Sequence, residues 1–128
     1  LDVGETSMVC GVLLDAMSTG DEVGMVVGYV DANNQYRAYL DKADNDLKLE
    51  KNVATVVTQI ATAGITIGTS REMEIVKEGN RIRIYIGGVL HIDETDSALT
   101  TGTKFGLFAR NASGTTQFTH PYGQGLVA

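Results

Sequence analysis

The run REMEIVKEGNRIRIYIGGVL, from Arg71 to Leu90, reads as two strands, each followed by a tight turn. Met73 and Ile75 alternate with Glu72 and Glu74. After Gly79-Asn80, Ile82, Ile84 and Ile86 alternate with Arg81, Arg83 and Tyr85. A helix would repeat every three to four residues, whereas a period of two belongs to an extended strand with one face buried. Gly79-Asn80 and Gly87-Gly88 supply the positive φ that two-residue hairpin turns need. The pattern predicts an antiparallel hairpin with its isoleucines in a core.

The rest of the chain adds strands to this unit. Upstream, Thr6 to Ala16 is a nearly continuous apolar run, as expected for a strand covered on both faces. Val23 to Val30 follows, with Gly24 and Gly28 allowing close approach or a bulge. In Gln35 to Asp41, Tyr36, Ala38 and Leu40 face one way and Arg37, Tyr39 and Asp41 the other. Leu47 and Leu49 alternate with Lys48 and Glu50, and Val53 to Ala63 is β-branched with a turn near Ala54-Thr55. Gly64 to Ser70 reads equally as a short strand or an ordered loop.

Downstream, Val89 to Thr95 is expected to put Leu90 and Ile92 inward and His91 and Asp93 outward. Asp96 to Gly102 reads as a surface connection with one helical turn capped by Asp96. In Lys104 to Arg110, Phe105, Leu107 and Ala109 oppose Phe108 and Arg110; Thr115 to His120 is a last strand, and Pro121 to Ala128 a Gly-rich tail. Nine or ten short strands without a helical period predict an all-β, antiparallel sandwich or barrel.

A length of 128 residues is that of one domain, 1–128, and it can bury a core without a staple. Leu1 is not Met, so the chain is expected to be processed, truncated or a module of a longer one. The lone Cys10 lies in an apolar run and reads as a buried small hydrophobe; no intrachain disulfide is possible. A net charge of −6 disfavours nucleic acid and anionic membranes as partners. No apolar run approaches the roughly 20 residues of a membrane helix.

Gln35-Tyr36-Arg37-Ala38-Tyr39-Leu40, Asp46 to Glu50 and Met73 to Leu90 together resemble the concanavalin A-like lectin/glucanase superfamily. Within it, the likeness is to laminin-G-like jelly rolls. Gly106-Leu107-Phe108-Ala109-Arg110-Asn111 is similar to the superfamily's late G-L-x-A-x-N strand. The resemblance implies a concanavalin A-like jelly roll over roughly Val23 to Phe118. It implies one more strand before Ser7 and another near the C-terminus, so an edge that must be paired or covered. The superfamily's retaining glucanases carry Glu-x-Asp-x-x-Glu on one strand, which this chain lacks.

Among candidate sites, Arg37, Tyr39, Arg83, Tyr85 and Phe108 lie opposite the expected core. An aromatic and arginine-bearing sheet face binds sugars by stacking and bidentate hydrogen bonds, and equally anchors protein contacts. Asp41, Asp44 and Asp46, with Asn45, offer hard oxygen ligands for Ca²⁺, which laminin-G-like relatives often bind; Asp31, Asn33 and Asn34 form a second such loop. The plainer reading of both is a polar turn. Glu72 and Glu74 can be an acid pair, or a solvated face offset by Arg81 and Arg83 across the hairpin. His91 and His120 have no partners at metal spacing, and no nucleophile elbow or phosphate loop is present.

The sequence therefore points to a non-enzymatic structural or adhesive module of a larger assembly, with neighbouring subunits or a second copy as partners. The favoured setting is a phage virion surface or tail. The alternative is an extracellular carbohydrate-binding module, with or without Ca²⁺, and a glycoside hydrolase is the remote third.

Overall fold

The computed structural model describes residues 1–111 and 116–126. Ten strands follow in order: β1 Met8–Asp15, β2 Glu22–Asp31, β3 Asn34–Asp41, β4 Asp46–Val53, β5 Val56–Gly64, β6 Arg71–Glu78, β7 Arg81–Ile86, β8 Val89–Thr95, β9 Lys104–Arg110 and β10 Gln117–Gly125. They form two five-stranded antiparallel sheets, β10-β1-β6-β7-β8 and β5-β4-β3-β2-β9. The sheets stack into an all-β sandwich.

The alternating residues meet between the sheets as their period requires. Met73 and Ile75 of β6 and Ile82, Ile84 and Ile86 of β7 face Val23, Met25 and Val27 of β2, Tyr36, Ala38 and Leu40 of β3, and Leu47 and Leu49 of β4. Met8, Cys10, Val12 and Leu14 of β1 complete the layer, with Ile67 inserted from the loop after β5. Cys10 is buried as expected, and burial pushes its thiol up to about 12. Each such aliphatic contributes about 1.5–3 kcal/mol by leaving water.

The decisive turns form where the glycines place them. Gly79 alone takes positive φ (57°) in the first, Asn80 staying in the ordinary region; Gly87 and Gly88 both take it (58° and 80°) in the second. One core position breaks the apolar series. Lys77 follows Met73 and Ile75 inward on β6 and is only 2% exposed. Its ammonium donates to the Gly79 and Thr6 carbonyls at 2.8 and 3.2 Å.

Three expectations are corrected, at Leu90, Asp96 and Pro121. A bulge between Ile84 and Tyr85 sets Leu90 opposite Tyr85, which turns Leu90 outward, 45% exposed, while Ile92 stays in the core. Asp96 caps no helical turn: it accepts the Ala98 N–H at 2.9 Å and the Tyr36 hydroxyl at 2.8 Å within an extended connection. Leu107 shares its inward parity with Met25 but lies on an edge strand and stays exposed. The segment from Pro121 to Gly125 is no tail. It continues β10, with a register shift where His120 takes φ 50° beside Pro121. An edge strand tolerates that proline because its outer side needs no N–H. Thr115, the expected start of that strand, lies outside the described residues.

The edges are treated unequally. Phe105 on β9 donates to the Leu1 carbonyl at 2.8 Å and Val3 donates to Thr103 at 2.9 Å, so the first residues strap that edge. β10 carries Pro121, and β8 carries Asp93, Glu94 and the bulge. β5, VVTQIATAG, carries no charge and no proline.

Candidate functional site

The outer face of the β5-β4-β3-β2-β9 sheet is organised by a glycine. Gly24 on β2 lies in register with Tyr39 on β3 and with Phe108 on β9. With no side chain between them, the two rings meet above β2, centroids 5.1 Å apart and tilted by 40°. A Cβ at Gly24 would come within 1.9 Å of the Ala38 carbonyl oxygen, so only glycine fits this row.

Two arginines flank the rings. Arg37 lies 5.2 Å from the Phe108 centroid, and Arg110 lies 5.3 and 5.6 Å from those of Tyr39 and Phe108. Each guanidinium is held by a carboxylate. Arg37 Nε donates to Glu50 at 2.8 Å; Arg110 donates twice to Glu22, at 3.0 and 2.6 Å, and once to the Tyr39 hydroxyl at 3.0 Å. Tyr39 in turn donates to Glu50 at 2.5 Å, and Asn111 donates to Glu22 at 2.8 Å. Burial, then the hydrogen bond to Glu50, raises the Tyr39 phenol to about 12. The Glu22 carboxylate raises Arg110 further, keeping it charged. Two arginines and two glutamates leave the patch electrically balanced around an aromatic centre.

Beside it lie the three aspartates. Asp41, Asp44 and Asp46 bring carboxylate oxygens within 4.8 Å of one another. The Lys48 ammonium sits among them, 2.9 Å from Asp41, 2.9 Å from Asp44 and 3.8 Å from Asp46. Asp41 and Asp46 are directly opposed across β3 and β4, a repulsive pairing that this lysine offsets. The hydrogen bonds that Lys48 donates to Asp41 and Asp44 hold its pKa above its usual value. Burial opposes ionisation of Asp41, but the bond and charge of Lys48 together with the N–H groups of Asp44 and Ala43 outweigh it and lower that carboxyl. The chain thus brings its own cation to the acid cluster. In the other oxygen-rich loop, Asp31 accepts from the Asn33 N–H at 2.8 Å and the Asn34 amide at 3.0 Å, closing the turn.

Of the five ligand candidates, Arg37, Tyr39 and Phe108 come together here. Arg83 and Tyr85 are on β7, in the other sheet, and face the opposite side of the molecule. There Tyr85 opposes Glu74, whose carboxylate accepts the Tyr122 hydroxyl at 2.5 Å; the Tyr122 ring lies over Gly11. Arg81 and Arg83 do not offset Glu72 and Glu74. Arg81 binds Asp93 at 2.9 and 2.7 Å, and Arg83 binds Glu78. Sequence reasoning missed Glu22, Glu50, Arg110 and Asn111 as site members. Arg110 and Asn111 lay within the quoted late-strand motif, but their acceptor Glu22 is 88 residues away from Arg110.

No protein-family model matches the chain, and no curated protein sequence matches it. Solved structures do. Carbohydrate binding module CBM66 from Bacillus subtilis superposes with a TM-score of 0.77 at 20% identity, covering 92% of this chain and 74% of that one. Sheep galectin-11, in complex with glycerol, superposes at 0.71 and 8% identity, covering 96% and 92%. A fructosyltransferase from A. japonicus superposes at 0.74 and 12% identity, covering 99% of this chain but 24% of the enzyme. The fold these structures share with the chain is a concanavalin A-like jelly roll of two stacked antiparallel sheets.

Proposed function

We propose that this domain is a carbohydrate-binding module, non-catalytic in itself, that holds a saccharide on the outer face of β2, β3 and β9. The observation that carries the reading is the Phe108 ring set between Arg37 and Arg110, each guanidinium already fixed by a glutamate. Sugars present an apolar C–H face and a rim of hydroxyls that both donate and accept. An aromatic ring ringed by oriented donors and carboxylate acceptors matches both features. Because those donors are held before binding, little side-chain entropy is lost when the ligand arrives. The balanced charge favours a neutral saccharide over a phosphate or sulfate ester. The likeness to a carbohydrate-binding module and to galectins supports the same class.

Calcium is not needed in this reading, because Lys48 occupies the centre of the aspartate cluster. The test is a glycan array of the wild-type domain and Phe108→Ala, each in Ca²⁺ and in chelator. A hit lost in Phe108→Ala and unchanged by chelator supports the proposal; a blank array overturns it.

The assembly-module reading keeps one support, the uncharged open edge of β5. A virion surface or tail as its setting rests on the sequence resemblance alone, and an extracellular setting suits the saccharide reading equally.

A further inference from the structure

We infer that the outer face of the β10-β1-β6-β7-β8 sheet takes an arginine side chain of a partner polypeptide, its guanidinium on Glu74 between the rings of Tyr122 and Tyr85. The two outer faces of the sandwich are built alike up to one part. On β2, Gly24 clears the way for the contact of Tyr39 with Phe108. On β1, Gly11 does so for Tyr122, whose ring would lie 2.5 Å from a Cβ there. Each tyrosine then donates its hydroxyl to a glutamate at 2.5 Å, Tyr39 to Glu50 and Tyr122 to Glu74. Glu50 also carries the Arg37 guanidinium, and Glu22 carries that of Arg110. Glu74 carries none.

The arginines of this second face are bound elsewhere, Arg81 to Asp93 and Arg83 to Glu78. Among the described residues no Lys or Arg pairs with Glu72 or Glu74. Both glutamates point out from β6, because Met73 and Ile75 point into the core. Burial first, then the Glu74 bond and the charges of Glu74 and Glu72, hold the proton on Tyr122, so both carboxylates act on one hydroxyl. Tyr85 flanks Glu74 in register on the side away from Gly11, and Leu90 continues the row past it.

Geometry and charge select the occupant. Glu74 accepts from the Tyr122 hydroxyl, so the carboxylate lies at the rim of that ring and not over its face. A planar guanidinium enters such a slot with its edge to the carboxylate and its faces to the rings. Arg110 makes that contact within the chain, bonded twice to Glu22 while 5.3 Å from the Tyr39 centroid. An amino sugar stacked on Tyr122 would hold its ammonium above the rim. Arginine and tyrosine also anchor protein contacts, and a net charge of −6 draws a basic partner. This site is separate from the saccharide face and does not depend on it.

Amide chemical-shift titration of the full chain with the capped peptide acetyl-Gly-Arg-Gly-amide is the test. Saturable shifts are expected at Gly11, Glu72, Glu74, Tyr85 and Tyr122, weaker with the lysine peptide and absent with glucosamine. Glu74→Gln keeps the acceptor for Tyr122 but lowers affinity about tenfold or more. Gly11→Ala keeps both glutamates, displaces the ring and lowers affinity severalfold. Glu94→Gln, at an exposed acid of β8 outside the row, leaves it unchanged. Circular dichroism checks that each variant is folded. Four results would overturn the proposal: no saturable shift, shifts spread over the acidic loops, equal binding of glucosamine, or full affinity in Gly11→Ala, which would reduce the site to charge alone.

Discussion

Tyr39 donates its hydroxyl proton to Glu50 at 2.5 Å while accepting from Arg110 at 3.0 Å, so one buried phenol ties a carboxylate on β4 to a guanidinium on β9. The link spans four adjacent strands and fixes the tilt of the ring against Phe108. Tyr39→Phe keeps the ring and removes the link, leaving Glu50 and Arg110 each one partner short. The expected cost is about 1–3 kcal/mol, read as a lower urea midpoint with an unchanged m-value. A variant as stable as the wild type would show that the network is merely surface pairing.

The same bonds govern alkaline behaviour. Burial, and then acceptors or neighbouring carboxylates, raises the Tyr36 and Tyr39 phenols to about 12. A phenol that holds its proton more tightly folded than unfolded stabilises fully below pH 10. That contribution is lost as pH climbs from 10 towards 12. Ultraviolet titration of the folded domain should show three late-ionising tyrosines, Tyr36, Tyr39 and Tyr122, the last raised by burial and then by its bond to Glu74. Tyr36→Phe and Tyr39→Phe should each remove one; loss of neither would contradict the assignment.

Lys77 acts with the opposite sign. Among the described residues no carboxylate pairs with its buried ammonium, and desolvation lowers its pKa. The unfolded chain then binds this proton more tightly than the folded one, so stability rises with pH below the ordinary lysine range. Lys77→Met fits the flexible stem's volume and removes the buried charge. We expect a raised Tm at pH 7 and a flatter dependence of stability between pH 7 and 10, measured by thermal melts across that window. A lower Tm would mean that its bonds to Thr6 and Gly79 outweigh the desolvation.

Gly24 and Gly11 separate backbone crowding from side-chain crowding. At Gly24 an added Cβ meets the backbone of β3, and at Gly11 it meets only the Tyr122 ring, from 2.5 Å. Backbone in a paired strand cannot give way, whereas an exposed tyrosine can rotate. Gly24→Ala should therefore fail to fold. Gly11→Ala should stay folded, with a modest loss of about 1 kcal/mol from the displaced Tyr122–Glu74 bond. Soluble expression and circular dichroism distinguish them.

Lys48 sets its ammonium among the three aspartates, within 2.9 Å of Asp41 and Asp44. The wild type should melt at the same temperature in millimolar Ca²⁺ and in chelator. Lys48→Met leaves Asp41, Asp44 and Asp46 without their cation, lowers Tm, and lets added Ca²⁺ restore part of the loss. A calcium-dependent Tm in the wild type would contradict this.

Much of the sandwich was legible because a strand's period of two is local. Ile82, Ile84 and Ile86 announce a buried face without reference to any other strand, and glycines mark both hairpin turns. What was lost depended on partners. Leu90 turned outward through a bulge opposite Tyr85, and Pro121 looked like a tail until its position on an edge excused the missing N–H. The site was legible only in part for the same reason. Arg37, Tyr39 and Phe108 share a face because β9 pairs with β2, a neighbour far along the chain. The identical outward pattern of Arg83 and Tyr85 belongs to the other sheet. No local period tells those two cases apart.

The most direct test of the account is backbone amide chemical-shift mapping with the strongest saccharide from the array, on wild type and Tyr85→Ala. The account predicts perturbations clustered at Gly24, Arg37, Phe108, Arg110 and Asn111, with affinity unchanged in Tyr85→Ala. Perturbations centred on Glu74, Arg83, Tyr85 and Tyr122 would place the ligand on the opposite sheet and contradict it.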